Sequence, residues 1–156
     1  MKLCFLDVQE ADDGWLSAAV LVTDADTRPS EFRITDPIHT DEVQRVLYGS
    51  TYEGELYGTC LTAPLLEALQ EDPDVVLVRD QKLLVLGDLD VPVLWIGRDA
   101  EAESGFVVGS RGGGERVQSL RAQLSEAVSG RDLLEPFERI ETALTRLAED
   151  AQRARA

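Results

Sequence analysis

Apolar and polar positions alternate at the start of the chain and fall into helical spacing at its end, with buried runs between. In "KLCFLDV" Leu3, Phe5 and Asp7 share one face and Cys4, Leu6 and Val8 the other, which predicts a strand. "QEADDG" reads as a hairpin turn, "WLSAAVLVTDAD" as a long second strand, and "SEFRITDPI" as a third, where Phe32 and Ile34 alternate with charged neighbours. Three successive antiparallel strands form a meander. Thr40 ahead of Asp41 and Glu42 predicts the cap of a short helix with Val43, Val46 and Leu47 on one face, ended by Gly49. "LYGSTYEGELYG", rich in glycine and tyrosine, reads as an irregular connection with aromatic anchors.

"TAPLLEALQEDPD" predicts a helix with Thr62 as N-cap, Pro64 in its first turn and Leu65, Leu66 and Leu69 facing inward, stopped by Pro73. The run "VVLV" that follows predicts a strand buried on both faces in the middle of a sheet. "KLLVL" fits a short strand or a helical turn, "VPVLWIG" another buried strand and "GFVVGS" an edge strand. From about residue 113, Val117, Leu120, Leu124 and Val128 mark an amphipathic helix that Gly130 breaks. Pro136 then opens a second helix carrying Phe137, Ile140, Leu144 and Leu147, and the polar tail "EDAQRARA" is expected to fray.

The fold class is therefore α/β: a mixed sheet of three antiparallel strands, then a helix and parallel strands, with C-terminal helices packed on it. The 156 residues suit one domain, with a core at 1–110 and a helical pair at 113–150. Thirty acids against fifteen bases give a formal net charge of −15, which repels phosphate backbones. Nucleic acid could be reached only through bound metal or local basic patches, so a protein partner is the expectation. The start lacks the basic and apolar regions of a secretory signal and no run is long enough to span a membrane, so a cytoplasmic protein is expected. Cys4 and Cys60 have no metal-ligand spacing and read as small buried hydrophobes.

Two acids stand out. Asp7 lies on the face of Leu3 and Phe5, where a buried carboxylate must be paired, hydrated or metal-bound. Asp80 follows the buried run in "VVLVRDQ", and is either the first turn residue or a metal ligand at a strand end. Ion pairs to Arg79 or Lys82 would explain both without metal. His39, the one histidine, sits in a loop beside acids, where a surface or capping place is expected rather than a catalytic one. "GSRGGGER", with the Gly109–Gly114 loop, lacks the P-loop and dinucleotide fingerprints, which leaves a flexible connection or an anion site at Arg111 or Arg116. Tyr48, Tyr52 and Tyr57 could stack on bases, but packing or a protein interface is the expectation.

The order of elements resembles the ribonuclease H-like superfamily, with Asp7 of "FLDV" and Asp80 of "VLVRD" on the two strands that lie side by side in that fold. "APLLEALQEDPDVVLVRD" and "VPVLWIG" resemble the endonuclease V branch, and the Arg-Asp at the strand end resembles the Argonaute nuclease domain. The resemblance covers roughly residues 1 to 97. It implies phosphodiester hydrolysis with Mg²⁺ or Mn²⁺, Asp7 bridging two ions and Asp80 binding one. The pattern is incomplete. Where endonuclease V carries a glutamate this chain reads "GTCLTA", Glu55 and Glu67 lie elsewhere, and "RDQK" replaces Asp-Gly-His-Gly. The expectation is a non-catalytic ribonuclease H-like domain acting as a protein-interaction or regulatory module. The alternative is a metal-dependent nuclease using Asp7 and Asp80.

Overall fold

In the computed structural model, which describes residues 1–11, 14–86, 91–101, 106–110, 114–128 and 130–155, a mixed seven-stranded sheet lies between two helical layers. Strand β1 (Leu3–Glu10) pairs antiparallel with β2 (Trp15–Thr23), and β2 pairs antiparallel with β3 (Pro29–Ile34). The two-residue β4 (Ile38–His39) joins the start of β2 on the same edge, beyond Thr35, whose hydroxyl accepts from Ala18 N at 3.0 Å. On the other side of β1 lies β5 (Val75–Val78), parallel to it, followed by a parallel β6 (Val93–Arg98) and an antiparallel edge strand β7 (Phe106–Gly109). The meander, the buried central strand and the edge strand thus stand as expected from the apolar pattern.

Period-two alternation divides the core into two faces. Cys4, Leu6, Val20, Val22, Val76 and Val78 point to one, and Leu3, Phe5, Leu21, Leu77, Leu94 and Ile96 to the other. The first face is covered by a continuous helical run: α1 (Glu42–Tyr48), a 3₁₀ turn Gly49–Thr51, the single turn α2 (Tyr52–Gly54), a π-helical stretch Glu55–Thr62 and α3 (Ala63–Ala68). Tyr52, Leu56, Leu61 and Leu65 are its buried contacts, joined by Leu83 from the 3₁₀ segment Gln81–Leu86. The second face is covered by α4 (Glu115–Ala127) and α5 (Glu135–Arg155), through Leu124, Phe137 and Ile140.

Five local expectations are corrected. The stretch "LYGSTYEGELYG" is helical rather than irregular: its glycines weaken intrinsic helix propensity, but burial of Tyr52 and Leu56 offsets the loss. Asp41, not Thr40, caps α1, accepting from Val43 N at 2.9 Å and Gln44 N at 3.3 Å. Thr62 is no N-cap, because the helix runs through it; its hydroxyl donates back to Tyr57 O at 2.7 Å and Gly58 O at 3.1 Å. Cys60 is exposed, on the outer side of the π-helical stretch, while Cys4 is buried as expected and burial pushes its thiol up to about 12. The tail is helical through Arg155, where Arg153 and Arg155 complement the helix dipole.

Gly49 ends α1 as its position predicts, at φ 56°. Among the other residues, Thr27 has a positive φ of 62°, uncommon for a β-branched residue, and Arg139 of α5 holds it by donating to its carbonyl at 2.6 Å and its hydroxyl at 3.0 Å. That clamp fastens α5 to the β2–β3 turn. Among the described residues no helix is long and apolar enough to cross a membrane.

Candidate functional site

The register of β1 against β5 pairs Leu6 with Val78, so the next residues along, Asp7 and Arg79, are neighbours. Both share the parity of Phe5 and Leu77 and face the α5 layer. The Arg79 Nη2 donates to Asp7 Oδ2 at 2.7 Å and to Glu141 Oε2 of α5 at 3.1 Å. Its guanidinium carbon lies 5.7 Å from the Phe137 ring centroid, and that ring meets Phe5 edge-on at 5.3 Å. One arginine therefore ties two strands and a helix together over an aromatic floor.

The electrostatics follow from burial. Asp7 is 2% exposed, next to the small Ala19 of β2. Burial pushes its carboxyl above the usual range, an effect only partly offset by the hydrogen bond and charge of Arg79 and the Val8 N–H; Glu141 adds to the rise. Burial pulls the guanidinium down, but Asp7 and then Glu141 outweigh it and leave Arg79 above its ordinary value. The two side chains are hydrogen-bonded at 2.7 Å, which is how a buried acidic group is tolerated. Sequence reasoning paired Asp7 with Arg79 as an option but missed Glu141. Its signal was its place beside Ile140 and one turn after Phe137, at the flank of the buried stripe.

Asp80 has a different setting. Its Oδ1 accepts from Lys82 N at 3.0 Å and its carbonyl from Leu83 N at 3.0 Å, so it opens the 3₁₀ segment as a turn residue. Its charge acts on Tyr57, which packs on the opposite face of the sheet from Asp7. The Trp95 indole N–H donates to Arg79 O at 3.0 Å and fixes the backbone between the two acids. That indole lies against Gly97, where an added Cβ would stand 2.5 Å from its Cη2, so the strand needs glycine there.

These residues do not fit a pair of divalent ions. A two-metal centre needs carboxylates that converge on an open space. Asp7 instead gives its Oδ2 to a guanidinium, and Asp80 is engaged by the backbone of its own turn. Among the described residues no group of three or more histidine, cysteine, aspartate or glutamate side chains converges as a metal site. Glu55 belongs to the π-helical stretch and Glu67 is exposed on α3, on the face opposite Asp7.

The remaining candidates scatter. His39 is exposed in β4, its Nδ1 3.0 Å from Thr40 O and its ring 5.0 Å from the Trp15 centroid. Residues 111–113 of the Gly109–Gly114 loop, Arg111 among them, lie outside the described residues, and Arg116 is exposed on α4. Tyr52 is buried, its hydroxyl accepting from Asp41 N at 3.1 Å, while Tyr57 is half-buried and Tyr48 exposed, so the three form no stacking platform.

No protein-family model matches the chain, and no curated protein matches it. Two solved structures of endonuclease V from Ciona intestinalis, each in complex with inosine-containing DNA, are similar at 13% and 12% identity, with TM-scores of 0.36 and 0.35. Each match covers 80% of this chain and 55% of the other, so the chain spans about half the length of those proteins. Likeness of that degree carries no conclusion about fold or activity.

Proposed function

We propose that residues 1–156 form a single ribonuclease H-like domain that has no catalytic metal centre and works as a protein-interaction or regulatory module. The sheet order supports the fold reading: an antiparallel meander, then strands parallel to β1. The observation that carries the functional reading is the Asp7–Arg79 contact at 2.7 Å. The resemblance assigns Asp7 to a bridging role between two cations. Here a side chain supplies the compensating positive charge, so the carboxylate needs no Mg²⁺ or Mn²⁺.

The alternative, a nuclease using Asp7 and Asp80, requires the two acids to share a cation. Thermal melts of wild type and Asp7→Asn, with and without millimolar Mn²⁺ or Mg²⁺, separate the readings. A ligand bound only by the native state raises the midpoint. The expected result is the same midpoint with and without metal for both proteins. A metal-dependent rise in wild type that shrinks in Asp7→Asn would overturn the non-catalytic reading and restore the nuclease.

A further inference from the structure

The helical run that covers one sheet face leaves its first helix outside the core. In α1 no residue is buried, and Val43, Val46 and Leu47, which share one face at i, i+3 and i+4, are 66%, 78% and 77% exposed. Elsewhere on the described surface large exposed apolar side chains are less open: Leu147 is 45% exposed and Phe32 38%. Three adjacent, nearly free aliphatic side chains on a short helix mark an interaction surface rather than scattered exposure.

Charge identifies the occupant. The segment from 36 to 55 carries Asp36, Asp41, Glu42, Glu53 and Glu55 against Arg45 alone among its arginines and lysines. Arg45 is itself engaged, 3.8 Å from Glu42 and 5.5 Å from the centre of the Tyr52 ring. The helix that carries the apolar face therefore opens on two acids, Asp41 at its N-cap and Glu42 in its first turn, on a chain of net charge −15. A second copy would bring equal negative charge against it, and an anionic bilayer would repel it.

We propose that the Val43–Val46–Leu47 face docks a basic amphipathic helix, with aliphatic residues at i, i+3 and i+4 seated on the patch and lysine or arginine flanks drawn by Asp41, Glu42 and the strongly negative chain. The proposal deepens the interaction-module reading and rests on it. Apolar contact supplies specificity for the face, and charge supplies steering and partner choice.

The probe is a fluorescein-labelled synthetic leucine–lysine peptide of that spacing, read by anisotropy against the full chain, with a leucine–glutamate peptide as its opposite. The expected result is binding of the lysine peptide alone, weakened at least about tenfold by combining Val46→Ser with Leu47→Ser and unchanged by Leu147→Ser. These positions are exposed and the changes neutral in charge, so fold and net charge stay fixed. Raising salt from about 0.05 to 0.5 M should weaken binding further. Equal affinity in the double serine variant overturns the proposal, as does equal binding of the glutamate peptide. A concentration-dependent dimer that the double variant abolishes would assign the face to a second copy and overturn it too. None of these results depends on metal, so they separate from a failure of the non-catalytic reading, which the metal melts report.

Discussion

Where β5 ends beside β1, the two sides of the sheet hold an acid each and treat it differently. On the α5 side Asp7 is buried, ion-paired to Arg79 and roofed by a helix. On the other side Asp80 is half-buried and satisfied by the backbone of its own turn. Asp7 lies within β1 and Asp80 just past the end of β5, and a reading by sequence position makes them partners. Parity decides otherwise: the side chain that meets Asp7 across the β1–β5 register is Arg79. The cation that a metal site would need is already present as a covalent part of the chain.

The largest effect that tests this contrast belongs to the floor beneath the arginine. Phe137 is fully buried, packs edge-on against Phe5 and lies under the Arg79 guanidinium. Phe137→Ala should cost about 3–5 kcal/mol in urea unfolding, through lost burial and the cavity left behind. A loss below about 1 kcal/mol would show that α5 does not seal the Asp7 side.

Next comes the arginine itself. Arg79→Met keeps the stem's apolar contact but leaves Asp7 buried without its partner. Because the guanidinium is 32% exposed, the cost at neutral pH should be about 2–3 kcal/mol, below that of a fully buried pair. Its pH dependence has a definite sign. Asp7's folded pKa lies above its unfolded value, so its contribution is fully present below the unfolded pKa and is lost as pH rises through the folded one. Removing Arg79 takes away the opposing pull and raises the folded pKa further. The variant's deficit should therefore be large at neutral pH and shrink on acidification towards the unfolded carboxylate range, as urea melts across that window would show. Adding Asp7→Asn should recover part of the neutral-pH loss. A deficit independent of pH and of Asp7 would mean the pair is incidental.

Much of this arrangement was legible in the sequence. Alternation in "KLCFLDV" placed Asp7 on the Leu3 and Phe5 face, and the apolar run ending in Arg79 marked a central strand. An ion pair between Asp7 and Arg79 was among the options because a carboxylate on that face needed compensation. What the sequence left open was register, since one residue's shift would have brought Asp80 rather than Arg79 beside Asp7. Glu141 was hidden for a related reason: it lies 62 positions from Arg79, and only the docking of α5 brings it near. The tyrosine-rich stretch was misread because local glycine content argued for a loop, whereas burial of Tyr52 and Leu56 holds it helical. Local propensity yields there to packing.

The smallest effect belongs to Asp80, and its smallness is informative. If its role is to open the 3₁₀ segment, Asp80→Ala removes one side-chain bond to Lys82 N and should cost about 0.5–1 kcal/mol. Asn can accept the same bond, so Asp80→Asn should lie within about 0.5 kcal/mol of wild type. A metal ligand behaves oppositely: its loss would stabilise the apo protein by relieving repulsion and would abolish a Mn²⁺-dependent rise in midpoint. Urea melts of the two variants with and without Mn²⁺ therefore read the residue's role directly. A stabilised Asp80→Asn that has lost a metal response would place Asp80 in a cation site despite its turn. A slightly weakened Asp80→Ala beside an Asp80→Asn close to wild type, both indifferent to Mn²⁺, would assign the acid to the backbone, and leave Arg79 as the cation that Asp7 was built around.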